Sequence, residues 1–115
     1  MKTEFGWIVI QGTRYEHDII IHTDGTVSKR RKKISKPRRE EYGHTPLSAE
    51  ELAFLAEERP EIVYIGTGQY GDLPLTPDAR ALLASYEPVI GPTPELLPLL
   101  EKEQRTYAAI VHVTC

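Results

Sequence analysis

The string Gly66-Thr67-Gly68-Gln69-Tyr70-Gly71 has the glycine spacing of a dinucleotide-binding turn and directly follows the β-branched run Ile62 to Ile65. In such a turn the last glycine lies within the start of a helix, whose amides and dipole face the pyrophosphate. Here Asp72-Leu73-Pro74-Leu75 intervenes, so the next helix starts no earlier than Thr76. The acid that would hold a ribose belongs about 20 residues on, at the end of the following strand. The nearest candidate, Glu87, precedes that strand. No nicotinamide, flavin or other cofactor is therefore expected. The loop still stands at the carboxyl edge of a parallel sheet, where ligands commonly sit and glycines expose backbone amides, so a small anion is the chemistry it suits.

Residues 29–39, KRRKKISKPRR, hold eight of the fourteen Lys and Arg, and the rest of the chain sets six cations against seventeen acids. Lys29, Arg30, Arg31, Lys32, Lys33, Arg38 and Arg39 are thus a candidate partner surface on an otherwise acidic domain. An unidentified protein is the partner that fits. Nucleic acid is disfavoured, because no aromatic interleaves the cations to stack bases and the remaining acids repel a phosphate backbone. A solvated strand and loop is the plainest alternative.

The four histidines, His17, His22, His44 and His112, show no i, i+4 pair, and Cys115 is the single cysteine, so no metal site is expected. His44 lies in a loop between the basic segment and the first helix, where an imidazole can orient an anion or simply bond to backbone. His112 and Cys115, three apart in a strand, point to opposite faces, which argues against a thiolate–imidazole pair; Thr114 shares the His112 face. No serine-based nucleophile elbow and no phosphate-loop lysine motif occurs. The chain leans away from an enzyme.

The elements that place these residues follow from the apolar pattern. A chain of 115 residues with 40% hydrophobic and 27% charged residues suits one domain over 1–115 with one core. No apolar run spans a membrane and the start lacks a secretory segment, so a cytoplasmic protein is expected. The absence of asparagine, with one methionine and nine prolines, suits a thermophilic source.

Residues 5–28 read as antiparallel strands: Trp7 to Ile10, Thr13 to His22, and Val27 after the Asp24-Gly25 turn. From residue 45 helices alternate with short β-branched runs, the pattern of crossover units and a largely parallel sheet. The first helix is expected at Ser48, with Glu51 completing a capping box and Leu52, Leu55 and Ala56 buried. Thr76-Pro77 opens a second helix carrying Ala79, Leu82, Leu83 and Tyr86, and Val89-Ile90 a short strand. Thr93-Pro94 opens a third helix carrying Leu96, Leu99 and Leu100, with a kink or preliminary turn expected at Pro98. Tyr107 to Val113 closes the chain as a central or near-central strand.

The stretches RRKK, SKPRRE, YGHTPLS, IGTGQYG, LPLTPDAR and HVTC together resemble the Mth-domain family, which includes adipogenesis-associated Mth-domain proteins and mitochondrial complex I assembly factor 3. The likeness covers nearly the whole chain. It implies a three-layer α/β/α fold with a mixed central sheet and an N-terminal antiparallel strand extension. It supplies no activity, since the mitochondrial relative is thought to act by protein contact during assembly of a respiratory complex. It also implies a cleft near Lys36, His44, Thr45, Gly66, Thr67, Gly68 and Gln69.

The leading functional reading is a non-catalytic protein-interaction or assembly module. The alternative is a small-molecule or anion-binding protein, or an enzyme, using the Gly66–Gly71 loop with Lys36 and His44. The second alternative is weak nucleic-acid binding through residues 29–39. Oligomeric state is not read from the sequence.

Overall fold

The computed structural model describes residues 1–115, the side chain of Glu40 excepted. The chain opens with a small antiparallel meander of β1 (Lys2–Glu4), β2 (Trp7–Ile10) and β3 (Thr13–Tyr15). A second sheet of five strands contains β4 (Ile19–Ile21), β5 (Val27–Lys29), β6 (Ile62–Thr67), β7 (Pro88–Gly91) and β8 (Tyr107–His112) in the order β5-β4-β8-β6-β7. Strand β4 runs antiparallel to both β5 and β8, whereas β8, β6 and β7 are parallel to one another, which makes the sheet mixed.

Period-two alternation sends successive side chains to opposite faces and so divides the core. Ile19 and Ile21 of β4, Ile62 and Tyr64 of β6, and Ala109 and Val111 of β8 face one side, where they meet Ile8 and Ile10 of β2. On that side also lie Leu96, Leu97 and Leu100 of the helix Thr93–Lys102. Ile20, Val63, Ile65, Ala108 and Ile110 face the other, against Leu47, Leu52, Leu55, Leu75, Ala79 and Leu83. Each such Ile, Leu or Val side chain taken fully from water contributes about 1.5–3 kcal/mol before chain entropy is counted. The α/β architecture with a mixed central sheet and an N-terminal strand extension agrees with the expectation. No helix among the described residues is long and apolar enough to cross a membrane.

Four local expectations are corrected. The strand expected over Thr13 to His22 is two strands in different sheets, broken at Glu16–Asp18 because Asp18 turns its carboxylate into the interior. The helix expected from Ser48 is a 3-10 turn, Ala49–Leu52, followed by a one-turn helix, α2 (Leu55–Glu58). No capping box forms, since the Ser48 hydroxyl meets Ser35 Oγ at 2.6 Å and Glu51 points inward to Arg30. The basic segment carries two 3-10 turns, Lys32–Ile34 and Lys36–Arg38, and a short α1 (Arg39–Tyr42) closed by Gly43 at φ 75°.

The second helix is as the sequence pattern requires: in α3 (Pro77–Leu83) the Thr76 hydroxyl accepts from the Ala79 amide at 3.2 Å and proline occupies the first turn. In the third, α4 (Thr93–Lys102), the pattern misleads on the buried face and on the cap. The helix continues through Pro98, and its buried residues are Leu96, Leu97 and Leu100, with Leu99 left 47% exposed. Thr93 does not cap. Its hydroxyl is buried, donating to the His112 carbonyl at 2.7 Å and accepting from the Gly68 amide at 3.0 Å.

Candidate functional site

The carboxyl ends of β6 and β8 converge where the 112–115 segment crosses the glycine loop. A Cβ on Gly68 would lie 2.3 Å from the Cys115 carbonyl carbon and 2.7 Å from His112 Cδ2, and one on Gly66 would lie 2.7 Å from Thr93 Oγ1. Close approach of the Cys115 backbone at Gly68 and of the Thr93 side chain at Gly66 therefore accounts for both glycines. The loop's amides are engaged as well: Gln69 N donates to the Thr114 carbonyl at 2.7 Å, and Tyr70 N and Asp72 N donate to Cys115 O at 3.2 and 3.0 Å. Gln69 turns its side chain to Thr3 Oγ1 at 3.0 Å.

Beside this crossing lies a cavity of about 310 Å³. Lys32, Lys36, Arg39, His44 and Thr45 line one part of it, and Asp72, Leu73, His112, Thr114 and Cys115 the rest. Of the seven residues expected in a cleft, the structure brings Lys36, His44 and Thr45 to this cavity, while Gly66, Thr67 and Gly68 are packed behind it. A larger adjoining recess, about 670 Å³, shares Lys32, Lys36 and Thr114 with the first and is walled by Lys29, Arg31, Lys33 and Ile34.

Beneath both recesses runs a buried polar chain. Arg30, whose side chain is 0% exposed, donates Nε and Nη2 to the two Glu51 oxygens at 2.8 and 2.9 Å and Nη1 to Asp18 Oδ2 at 2.9 Å. Its Nη2 also reaches the Pro46 carbonyl at 3.0 Å, and Ser35 Oγ donates to Glu51. Arg30 thus has no part in a surface, contrary to expectation: the guanidinium is the counter-ion that lets two carboxylates enter the core. Burial alone would raise the pKa of Asp18, but the hydrogen bond and charge of His112, the Val113 amide and Arg30 outweigh it and hold the carboxyl well below its ordinary range.

Asp18 Oδ2 also accepts from His112 Nδ1 at 2.8 Å, and His112 Nε2 stands 3.2 Å from Thr114 Oγ1. An ionised carboxylate at Nδ1 requires a proton there, so in the neutral ring the lone pair is on Nε2, facing the Thr114 hydroxyl. A second chain of acid, imidazole and hydroxyl lies at the far edge of the sheet. Glu58 Oε2 meets His22 Nδ1 at 2.6 Å, and His22 Nε2 meets Ser28 Oγ at 2.7 Å. Among the described residues no three His, Cys, Asp or Glu form a metal-binding group.

A family of proteins of unknown function, DUF498/DUF598, matches residues 1–92. The chain belongs to the DUF498/DUF598 family. The solved structure of conserved hypothetical protein PH1505 from Pyrococcus horikoshii OT3 is similar to this DUF498/DUF598 chain over its whole length and 98% of the other, with 36% identity and a TM-score of 0.87. A second solved structure, MT938, is similar at 36% identity and TM-score 0.82, over all of this chain and 96% of that one. Among curated proteins none matches.

On the outer surface of this DUF498/DUF598 chain, Lys29, Arg31, Lys33 and Arg39 are exposed, whereas Arg38 pairs with Glu41 at 3.7 Å and Asp78 at 3.5 Å and lies over the Tyr42 ring. Sequence reasoning missed Asp18, Arg30 as a core residue, and Glu51. The available signal was an acid set directly against the run Ile19-Ile20-Ile21, where a carboxylate must be carried inward with a partner.

Proposed function

We propose that this DUF498/DUF598 domain binds a small anionic ligand in the cavity at the carboxyl end of β8. The observation that carries the reading is the convergence of Lys32, Lys36, Arg39 and His44 on a recess floored by His112 and Thr114. Cations gathered in a concave, partly low-dielectric site focus potential, and the acidic surface outside the basic segment turns anions away. The size is near the lower end of ligand pockets, which suits a metabolite better than a polymer. The Gly66–Gly71 loop serves here as a backing wall.

Isothermal titration with inorganic phosphate and pyrophosphate, with a thermal-shift panel of anionic metabolites, tests the proposal. Lys36→Glu is expected to weaken binding at least tenfold, and His44→Ala several-fold. Lys29→Glu, outside the smaller cavity, leaves it nearly unchanged. A flat response across the panel overturns the reading.

A protein-interaction or assembly role, the reading the Mth-domain resemblance favours, is the second proposal. It is supported by Phe5 and Tyr70, an exposed aromatic pair with ring centroids 6.1 Å apart. Exposed aromatics are enriched where proteins meet.

A further inference from the structure

We propose that Asp18, His112 and Thr114 form a catalytic relay in which the Thr114 hydroxyl attacks a carboxylic ester of a small anionic molecule held by the cations of the same cavity. The inference rests on the anion-site reading and adds to it a reaction. Three observations carry it. Asp18 at 2.8 Å fixes the imidazole tautomer, Thr114 Oγ1 lies 3.2 Å from the free Nε2, and both His112 and Thr114 line the cavity. A base–nucleophile distance somewhat long in the absence of substrate is ordinary for such a pair.

Charge bookkeeping in the floor supports a base. Among the buried side chains Asp18 and Glu51 set two formal negative charges against the one of Arg30, with half-exposed Lys32 at the rim, so a proton arriving on His112 meets an ionised carboxylate at 2.8 Å. The imidazolium formed in the reaction is thus compensated where it arises by Asp18, which the His112 hydrogen bond, the Val113 amide and Arg30 together hold ionised. Lys32 Nζ, 3.6 Å from Asp18 Oδ2, brings a cation to the relay, and with Lys36 supplies positive charge for the substrate anion and the developing oxyanion.

The steps balance. Thr114 Oγ1 bonds to the acyl carbon as its proton passes to His112 Nε2. The ester C–O bond then breaks and the departing alkoxide takes that proton, leaving an acyl-threonine. Water adds to the acyl carbon with Nε2 as base, and the released acid restores Thr114. The sum is ester plus water to acid plus alcohol, with no redox partner.

The test uses the full chain with two chromogenic probes, the 4-nitrophenyl ester of terephthalic acid monoanion and the neutral 4-nitrophenyl benzoate. The relay requires faster release from the anionic probe and, after acid quench, an acyl mass increment on the peptide holding Thr114. Thr114→Ala should abolish the adduct and turnover, Thr114→Ser should retain both, and His112→Gln should lower turnover about 10²-fold or more. Phosphate titration separates the two proposals: phosphate binding retained in Thr114→Ala without turnover supports both. Phosphate binding to the native protein without turnover or adduct overturns the relay alone, and failure of phosphate to bind or to compete removes the anion site beneath it. An adduct on lysine, or undiminished turnover in Thr114→Ala, also overturns the relay.

Discussion

The buried chain Asp18–His112–Thr114 and the edge chain Glu58–His22–Ser28 share an acid, an imidazole and a hydroxyl at hydrogen-bond distances, yet their surroundings give them different work. The first is anchored on a buried ion cluster and opens into a cation-lined cavity. The second joins the β4–β5 hairpin to α2, with the Thr23 amide also donating to Glu58 at 2.9 Å and Phe54 edge-on to the His22 ring. Neither recess described above includes any of its members. Composition and spacing alone do not distinguish a reactive relay from a clamp; the supporting charges and the adjacent cavity do.

The largest separation between the two regions is expected on removing a supporting charge. Arg30→Met leaves Asp18 and Glu51 buried without their common partner, a loss of about 3–5 kcal/mol in urea unfolding, sufficient to threaten folding altogether. Lys33→Glu in the same basic segment is exposed and should change stability by no more than about 0.5 kcal/mol. If Arg30→Met unfolds at the native midpoint, the cluster is not what holds the site floor.

Glycines give the next contrast. Gly25, in the turn of the β4–β5 hairpin, and Gly68, behind His112, have positive φ of 87° and 101°, so alanine is strained at both by about 1–2 kcal/mol. Only at Gly68 does a Cβ collide, with Cys115 backbone and the His112 ring; at Gly25 nothing lies within 4 Å. Gly68→Ala is therefore expected to cost about 3 kcal/mol or more in total, against about 1–2 for Gly25→Ala. Equal midpoints in the two variants would show that the crossing segment yields without resistance.

The same contrast explains what was legible beforehand. The apolar run Ile62–Ile65 and the cap-and-proline start at Thr76 are local signals from which the strand and the helix follow, whereas the mixed sheet is implied by the family resemblance. The inward turns of Asp18 and Glu51 share one partner, Arg30, which sits in a run of cations whose pattern reads as surface. Charge composition averages over a segment, whereas one buried member is chosen by contacts far along the chain. The site needed Asp18 beside His112, 94 positions away, a pairing visible only when β4 is laid antiparallel to β8. The glycine loop was placed correctly on the strand end, yet its glycines answer to packing by residues 112–115.

The smallest expected effect is the acid response of the edge clamp. Burial alone would raise the pKa of Glu58, but the Thr23 amide and His22 outweigh it and lower it. A carboxyl lowered on folding stabilises the protein above its unfolded pKa and loses that contribution as pH falls through the folded value. The deficit of Glu58→Gln, under about 1 kcal/mol for a partly exposed pair, should hold steady near pH 6 and close as pH drops below 4. Asp18 is lowered further, so the larger deficit of Asp18→Asn should persist at pH 4, after that of Glu58→Gln has begun to close. Urea midpoints of the native protein and both variants between pH 6 and 3 decide it. A Glu58→Gln deficit unchanged at pH 3 would mean that its hydrogen bonds do not depend on charge, and simultaneous closure of both deficits would erase the distinction between clamp and relay.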